Sequence, residues 1–433
     1  MLFKIPTSLN SIILKKRILL IGYNYSPELT GIGKYSGEMM EWLCQKGHEC
    51  SVITSYPYYP QWEVQAPYDK NKYWYLKENV FLEDTQTTIK VYRCPMYVPK
   101  KPTGLKRILS DVSFFTSALV LLLYFLFKKK FDLVISVAPT FLSGVLGAFY
   151  KILKNTRHVH HIQDLQIEAA LKLGMIKSKY IINMLLRIEC FIFKHSDKIS
   201  SISLSMIDQI EKKCKKKVFY LPNWTDNSLF FPLDNKAELK TKFGYHKEDT
   251  IIVYSGAIGE KQGLEIILKS AKEFINDKNI KFLICGSGPY QLVLKERANQ
   301  LNLHNITFLP LQPKDVFNDF LNMVDIHLVI QKANASDLVM PSKLTTILSV
   351  GGIALITATE NTDLYRLVNS HNMGHLIQPE DENALTSGIS YLITNKNLST
   401  LRKNAHIYAS QFLSLDYIMQ DFENRILLDQ SPN

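Results

Sequence analysis

The stretch DTIIVYSGAIGEKQGLEIILKSAKEFI, residues 249–275, reads as strand, glycine turn and helix in one run. A β-branched apolar run ends at Ser255, Gly256 and Gly259 open a turn, and apolar residues then recur at helical spacing. The same order appears in RILLIGYNYSPELTGIGKYSGEM (17–39), with Gly31 and Gly33, and in IKFLICGSGPY (280–290), with Gly286 and Gly288. Between and beyond these lie further strand-like runs: ECSVIT (49–54), IKVYRC (89–94), FDLVISVAP (131–139), RHVHHIQD (157–164), KISSIS (198–203) and KVFYLPN (217–223). After the stretch LPNWTDNSLFFPLDN (221–235), where Pro222 and Pro232 bracket a linker, the pattern restarts. ITFLPLQ (306–312), DIHLVIQ (325–331), GIALITA (352–358) and GHLIQP (374–379) are its later strands. Alternating strand and helix is the mark of parallel βαβ units. A chain of 433 residues also exceeds one core. The expected fold is therefore α/β, with two Rossmann-like, doubly wound domains facing a central cleft. Residues 1–225 form the first domain and 226–410 the second. Residues 411–433 form a C-terminal helix returning toward the first.

The net charge of +11 favours anionic partners, such as phosphates or an anionic lipid surface. Nucleic acid is not expected: no basic run carries interleaved aromatics, and no zinc-finger or RNA-binding signature occurs. Six cysteines without a CxxC pair indicate neither a disulfide frame nor a zinc site, so a reducing, cytoplasmic setting is the simplest expectation. Residues 1–16 read as an extension rather than a signal peptide, because Lys15–Arg17 interrupt the apolar run. One segment, DVSFFTSALVLLLYFLFKKK (111–130), is almost wholly apolar from Val112 to Phe127 and is flanked by Lys100, Lys101, Lys106, Arg107 and Lys128–Lys130. It suits a buried helix, a helix lying in a membrane interface within the region 105–130, or a short span. A span would put neighbouring strands on opposite sides of a bilayer.

Glycine turns between strand and helix are anion-friendly, since backbone N–H groups and the helix N-terminus converge there. Ser255 and Gly256 provide such a turn, Lys261 adds a full charge beside it, and a departing diphosphate needs that stabilisation. Gly31 and Gly33 stand at the equivalent place in the first domain. Gly286 allows close approach of a base or ribose. In ASDLVMPSKLTTILSVGG (335–352) a loop runs into a helix near Pro341, with Ser342 as N-cap, Lys343 adding charge and Asp337 able to accept hydrogen bonds from a sugar. HVHHIQDLQIE (158–168) puts His161 and Asp164 at a strand end, where polar residues enter the cleft. Strand alternation splits His158, His160 and His161 between faces, so no metal site is expected.

Together these motifs resemble glycosyltransferase family 4, retaining enzymes of the GT-B fold. The resemblance runs through SPELTGIGKYSGEMMEWLCQKGHECSVIT, HIQDLQIEAALKLG, LPNWTDNSLF, YSGAIGEKQGLE and PSKLTTILSVGG, from Arg17 to the C-terminus. Within the family, NYSPELTGIGKY, PYYPQW (57–62), YVPKKP (97–102) and GEKQGLE are similar to the colanic acid biosynthesis fucosyltransferase and fucosamine transferase group. The resemblance implies transfer of a (deoxy)hexose such as fucose or N-acetylfucosamine from a GDP- or UDP-sugar donor, without metal. The implied acceptor is a lipid-linked saccharide in capsule, exopolysaccharide or O-antigen synthesis, reached by peripheral contact with the inner face of a bacterial plasma membrane. Gly31, Gly33, Ser255, Gly256, Gly286, Asp337, Ser342 and Lys343 would bind donor. Lys261 matches the family's phosphate-binding lysine, with His161 and Asp164 positioning the sugars. The family's paired glutamates are replaced by Leu338 and Thr346, and the arginine of its phosphate turn by Ala257. Alternatives are a non-hydrolysing nucleotide-sugar epimerase of the same fold and a non-catalytic sugar-nucleotide-binding subunit.

Overall fold

The computed structural model describes residues 15–28, 31–101, 103–168, 178–333, 341–360, 362–395 and 397–428, with only the backbone of Leu105 and Lys261. In the first domain the order is β1 (Arg17–Ile21), α1 (Gly31–Gln45), β2 (Glu49–Ser55), β3 (Leu76–Leu82), β4 (Thr87–Cys94), α2 (Gly104–Leu126), β5 (Leu133–Ala138), α3 (Ser143–Lys154), β6 (Arg157–Ile162), α4 (Lys179–His195), β7 (Lys198–Ser201), α5 (Leu204–Cys214) and β8 (Val218–Tyr220). The second domain has α6 (Lys236–Lys242), β9 (Thr250–Ser255), a 3-10 turn (Glu260–Gln262), α7 (Glu265–Glu273), β10 (Ile280–Cys285), α8 (Gln291–Gln300), β11 (Ile306–Leu309), α9 (Lys314–Met323) and β12 (Ile326–Val329). It continues with α10 (Lys343–Ser349), β13 (Ala354–Thr357), α11 (Asp363–His371), β14 (His375–Ile377), α12 (Glu382–Thr394), α13 (Ser399–Phe412) and α14 (Leu415–Phe422), which ends in a π-turn at Glu423–Leu427.

The first sheet has strand order β3-β4-β2-β1-β5-β6-β7-β8 and the second β11-β10-β9-β12-β13-β14. All pairings are parallel except β3 with β4. Strand β3 was not expected from the sequence. Its residues, LKENVFL, mix charged with apolar side chains, and it is largely exposed as an edge. Its antiparallel register with β4, Leu76 opposite Arg93, is a tertiary outcome.

Strands buried on both faces explain the near-continuous apolar runs. In the first domain Ile18, Leu20, Val52, Ile135 and Val159 face α1, while Leu19, Ile21, Ile53 and Val134 face α2 and α3. The apolar 112–127 segment is the body of α2. Its stripe Phe114, Ala118, Leu122 and Phe125 is buried on the sheet, whereas Val112, Val120, Leu123, Tyr124 and the following Phe127 are exposed. One stripe therefore answers the core and the other faces outward.

Two chain segments join the domains side by side. Thr225 N–H donates to Leu413 O at 2.7 Å, and Leu415 N–H donates to Thr225 O at 2.9 Å. Beyond this crossing α14 packs on the first domain: Ile418, Met419, Phe422, Ile426 and Leu427 share one core cluster with Met40, Trp42 and Trp224. The Trp42 indole donates to Asp416 at 2.7 Å, and His48 meets Glu423 at 3.0 Å.

Candidate functional site

Ligands of open parallel sheets bind where strand C-termini meet helix N-termini, and here two such edges face each other. On the first domain, β1 runs into a loop and then α1, which begins at Gly31 with φ +63°. Among the described residues, a Cβ at Gly31 would meet only Tyr59 Cε1, at 3.7 Å. Gly33 serves a different purpose. A Cβ there would fall 2.5 Å from a carboxylate oxygen of Glu28, so the space above it belongs to that side chain rather than to a ligand. Glu28 is buried, accepts from Asn24 Nδ2 at 2.9 Å, and accepts from the N–H groups of Tyr58 and Tyr59 at 3.2 and 3.1 Å. Burial pushes its carboxyl up to about 7, against the pull of those donors. Glu28 thereby ties the loop after β1 to the loop after β2. The sequence offered no signal for it beyond one carboxylate between Pro27 and Gly31.

On the second domain the glycine turns pack on one another. Gly256 N–H donates to Cys285 O at 2.9 Å and Ile258 N–H to Ser287 O at 2.9 Å. A Cβ on Gly286 would lie 1.9 Å from Gly256 O, and one on Gly288 would lie 2.2 Å from Ile258 O. Gly286 is therefore glycine because another backbone passes over it, which differs from the expected approach of a base or ribose. The N–H of Gly256 likewise does not point outward as the sequence suggested. Those of Ala257 and Gly259 have no partner among the described residues. Ser255 closes β9 at this edge.

Lys343, the first residue of α10, reaches under this turn. Its Cε and Nζ lie 3.0 Å from where a Gly256 Cβ would be, and Nζ sits 3.5 Å from the centroid of the Tyr254 ring. The residue as a whole is half-buried, yet its ammonium nitrogen is enclosed and has no hydrogen-bond partner among the described residues. Burial pushes its pKa down to about 7. A buried, unpaired cation is costly unless something anionic completes it. The ring face of Tyr254 offsets part of that cost, and the Tyr254 hydroxyl is turned away to donate to Ala257 O at 2.7 Å.

The two edges meet across the cleft. Tyr35 of α1 donates to Ser342 O at 3.5 Å, and Tyr59, beside Gly31, lies within electrostatic reach of Tyr254. Ser342 precedes α10 but makes no side-chain cap bond, contrary to the expected N-cap; its carbonyl instead accepts from Thr345. His161 lies one residue short of the end of β6, is 1% exposed, and bonds Ser200 Oγ through Nδ1 at 2.9 Å, while Nε2 has no partner among the described residues. Burial, then the neighbouring His160, pushes it down to about 3, so it is neutral. It sits beneath the cleft surface rather than entering it. His158 and His160 turn to the opposite face, where both bond Ser136. No group of three His, Cys, Asp or Glu with metal-binding geometry occurs among the described residues. Asp164 follows β6 within electrostatic reach of Tyr23 and Tyr59. Asp337 and the Lys261 side chain lie outside the described residues; the Lys261 backbone is in the 3-10 turn after Gly259.

Two Rossmann-like domains, hinged by paired crossings and presenting glycine turns to one cleft, define the GT-B class of transferases. The chain belongs to the glycosyltransferase group 1 family. The family described as "Glycosyl transferases group 1" matches residues 235–411, and "Glycosyl transferase 4-like domain" matches residues 30–224. The Escherichia coli (strain K12) protein described as "Putative colanic acid biosynthesis glycosyl transferase WcaI" is 37% identical over 95% of this chain and 99% of its own. The fold is similar to that of sucrose-phosphate synthase from Thermosynechococcus elongatus (TM-score 0.72, 16% identity, 96% of this chain and 100% of that one). It is also similar to that of Anabaena Alr3699/HepE in complex with UDP-glucose (TM-score 0.68, 14% identity, 95% and 100%). The protein is a glycosyltransferase.

Proposed function

We propose that the enzyme moves a sugar, with retention of configuration and without a metal, from a nucleotide diphosphate donor to a lipid-linked saccharide in bacterial surface-polysaccharide synthesis. The observation that carries this reading is the enclosed, unpaired Lys343 ammonium beneath the Gly256 turn. It supplies a charge where Ala257 stands in place of the family's arginine, beside two backbone N–H groups without a partner among the described residues. As the bond from the anomeric carbon to the phosphate oxygen breaks, negative charge gathers on the diphosphate, and preorganised donors stabilise it. The acceptor hydroxyl forms the new bond on the same face and gives its proton to the departing phosphate. Asp164 would position the sugars, and Lys261 would add a second cation. The UDP-glucose bound to the Anabaena neighbour and the colanic acid role in the Escherichia coli relative's description support donor and pathway class. The first-domain motifs favour fucose or N-acetylfucosamine on GDP or UDP.

The outward stripe of α2 supports peripheral work at the inner face of the plasma membrane. Helix α3 adjoins α2 and carries exposed Ile152 and Leu153, and α4 adjoins α3 with exposed Tyr180 and Met184. Exposed apolar residues on three adjoining helices, with Lys106 and Lys128–Lys130 near the ends of α2, suit shallow insertion beside anionic lipid. The donor is tested by titrating nucleotide sugars into wild type and Lys343→Met while following thermal unfolding. The true donor raises the wild-type midpoint by mass action, and the variant is expected to need at least tenfold more donor for the same rise. An equal response in both proteins would remove Lys343 from the donor site.

A further inference from the structure

A corner of the first domain, next to the cleft but apart from the Lys343 turn, gathers aromatic and charged groups that the donor chemistry leaves unused. Trp62, in the loop after β2, holds φ +58°, a left-handed conformation that bulky residues rarely adopt. Neighbours fix it there. The Tyr58 ring meets it edge-on at 5.4 Å, and the Arg107 guanidinium lies 5.2 Å from its ring centroid. Local strain of this kind concentrates at ligand sites, where surrounding packing holds it. Arg107 is exposed, its guanidinium lies over the Trp62 ring, and it makes no ion pair or side-chain hydrogen bond among the described residues. One helical turn further along α2, Asp111 faces the Tyr23 hydroxyl. Burial pushes its carboxyl up to about 7, while Tyr23 and then Arg107 draw it back. Tyr23 is fixed by an edge contact to Phe114 at 5.8 Å, and Tyr59 joins the corner to Gly31. Glu28 spends both oxygens on the loop backbone and on Asn24, which makes it a brace rather than a contact group.

We propose that this corner is the acceptor subsite, taking a saccharide joined to a lipid through a diphosphate, with the sugar against Trp62 and Asp111 and the diphosphate on Arg107. The inference rests on the lipid-linked acceptor of the proposed function. A sugar ring offers an apolar C–H face to an aromatic ring and hydroxyl donors to a carboxylate. A diphosphate suits a planar, unpaired guanidinium better than an ammonium. Position supports the same ligand. Arg107 begins the helix whose outward face is apolar, so a lipid tail leaving the diphosphate runs along α2, while the sugar at the other end lies beside Gly31 and the donor cleft.

The test is direct binding of farnesyl-diphosphate-linked glucose, and of the same lipid sugar without the diphosphate, to wild type, Arg107→Gln, Arg107→Lys, Trp62→Leu and Lys343→Met. Arg107→Gln is expected to weaken the diphosphate probe at least tenfold, with Arg107→Lys recovering only part. Trp62→Leu should weaken both probes, and Lys343→Met neither. Nucleotide-sugar binding and thermal unfolding of Arg107→Gln should match wild type. Absence of probe binding by wild type overturns the ligand class. Equal binding by Arg107→Gln overturns the site, and so does a parallel loss of nucleotide-sugar binding, which would place the corner in the donor site. Failure of the proposed function itself would instead show as a wild type that binds no nucleotide sugar.

Discussion

At the scale of single residues, glycines that look alike in sequence do different work. Gly31 has a positive φ and a Cβ there would meet Tyr59 only at ordinary contact distance, whereas Gly33 is required because Glu28 occupies the position of its Cβ. Gly33→Ala must push aside a buried carboxylate that ties two loops together, and such overpacking costs about 1–3 kcal/mol. A lowered midpoint in thermal unfolding checks this, and an unchanged midpoint would show that Glu28 can move without cost. Lys343 makes a pH prediction with a definite sign. A cation is needed to bind the diphosphate, and in the free protein its pKa lies at about 7. Below that pH the ammonium is already charged and affinity should be flat; above it each unit of pH costs up to about tenfold, since a proton must be taken up on binding. The diphosphate diester of a nucleotide sugar does not titrate in this range. Isothermal titration of the donor from pH 6 to 9 reads the effect, which should vanish in Lys343→Met.

At the scale of elements, α2 carries two opposed stripes on one helix. Phe114 is fully buried against Tyr23 and the sheet, so Phe114→Ala should cost about 3–5 kcal/mol. Val120 and Leu123 point outward. The pair Val120→Glu with Leu123→Glu should leave unfolding nearly unchanged and sharply reduce co-sedimentation with vesicles containing anionic lipid. Equal sedimentation by the double variant would mean that this face does not meet the bilayer. The sequence showed how apolar this helix is but not which stripe was inward, because both read as leucine-, valine- and phenylalanine-rich. Strand β3 is the complementary case. Its charged alternation hid it, and only the edge of β4, with unsatisfied backbone groups to pair, made it a strand.

At the scale of the whole molecule, the two domains cannot be cut apart at the linker alone. The first-domain core includes Ile418, Met419, Phe422, Ile426 and Leu427 from the far end of the chain, and His48 pairs with Glu423. A chain ending at Ser414 would uncover the apolar face around Met40 and Trp42. It should unfold at lower temperature and bind a hydrophobic dye, although the truncated residues lie far in sequence from that core. Adding back a peptide of residues 415–433 should restore part of the loss. A truncated protein as stable as the full chain would show that α14 is only an appendage. The crossings at Thr225 and Leu413–Leu415 are bonded side by side, so the two connections between the domains lie at one place.

Strand and helix alternation, carried by local apolar period and glycine punctuation, was enough to give two parallel-sheet domains, because each βαβ unit is specified within a few tens of adjacent residues. The same locality placed Gly31, Gly256 and Gly286 in turns between strand and helix, and Lys343 at a helix start. What the tertiary structure alone decided is the use of each group. Gly33 and Gly286 answer to neighbouring atoms, His161 is buried and neutral, the Lys343 ammonium is left unpaired under the Gly256 turn, and Glu28 braces two loops. Burial and partnership are set by segments distant in sequence, and it is they, not residue type, that fix charge state and accessible space.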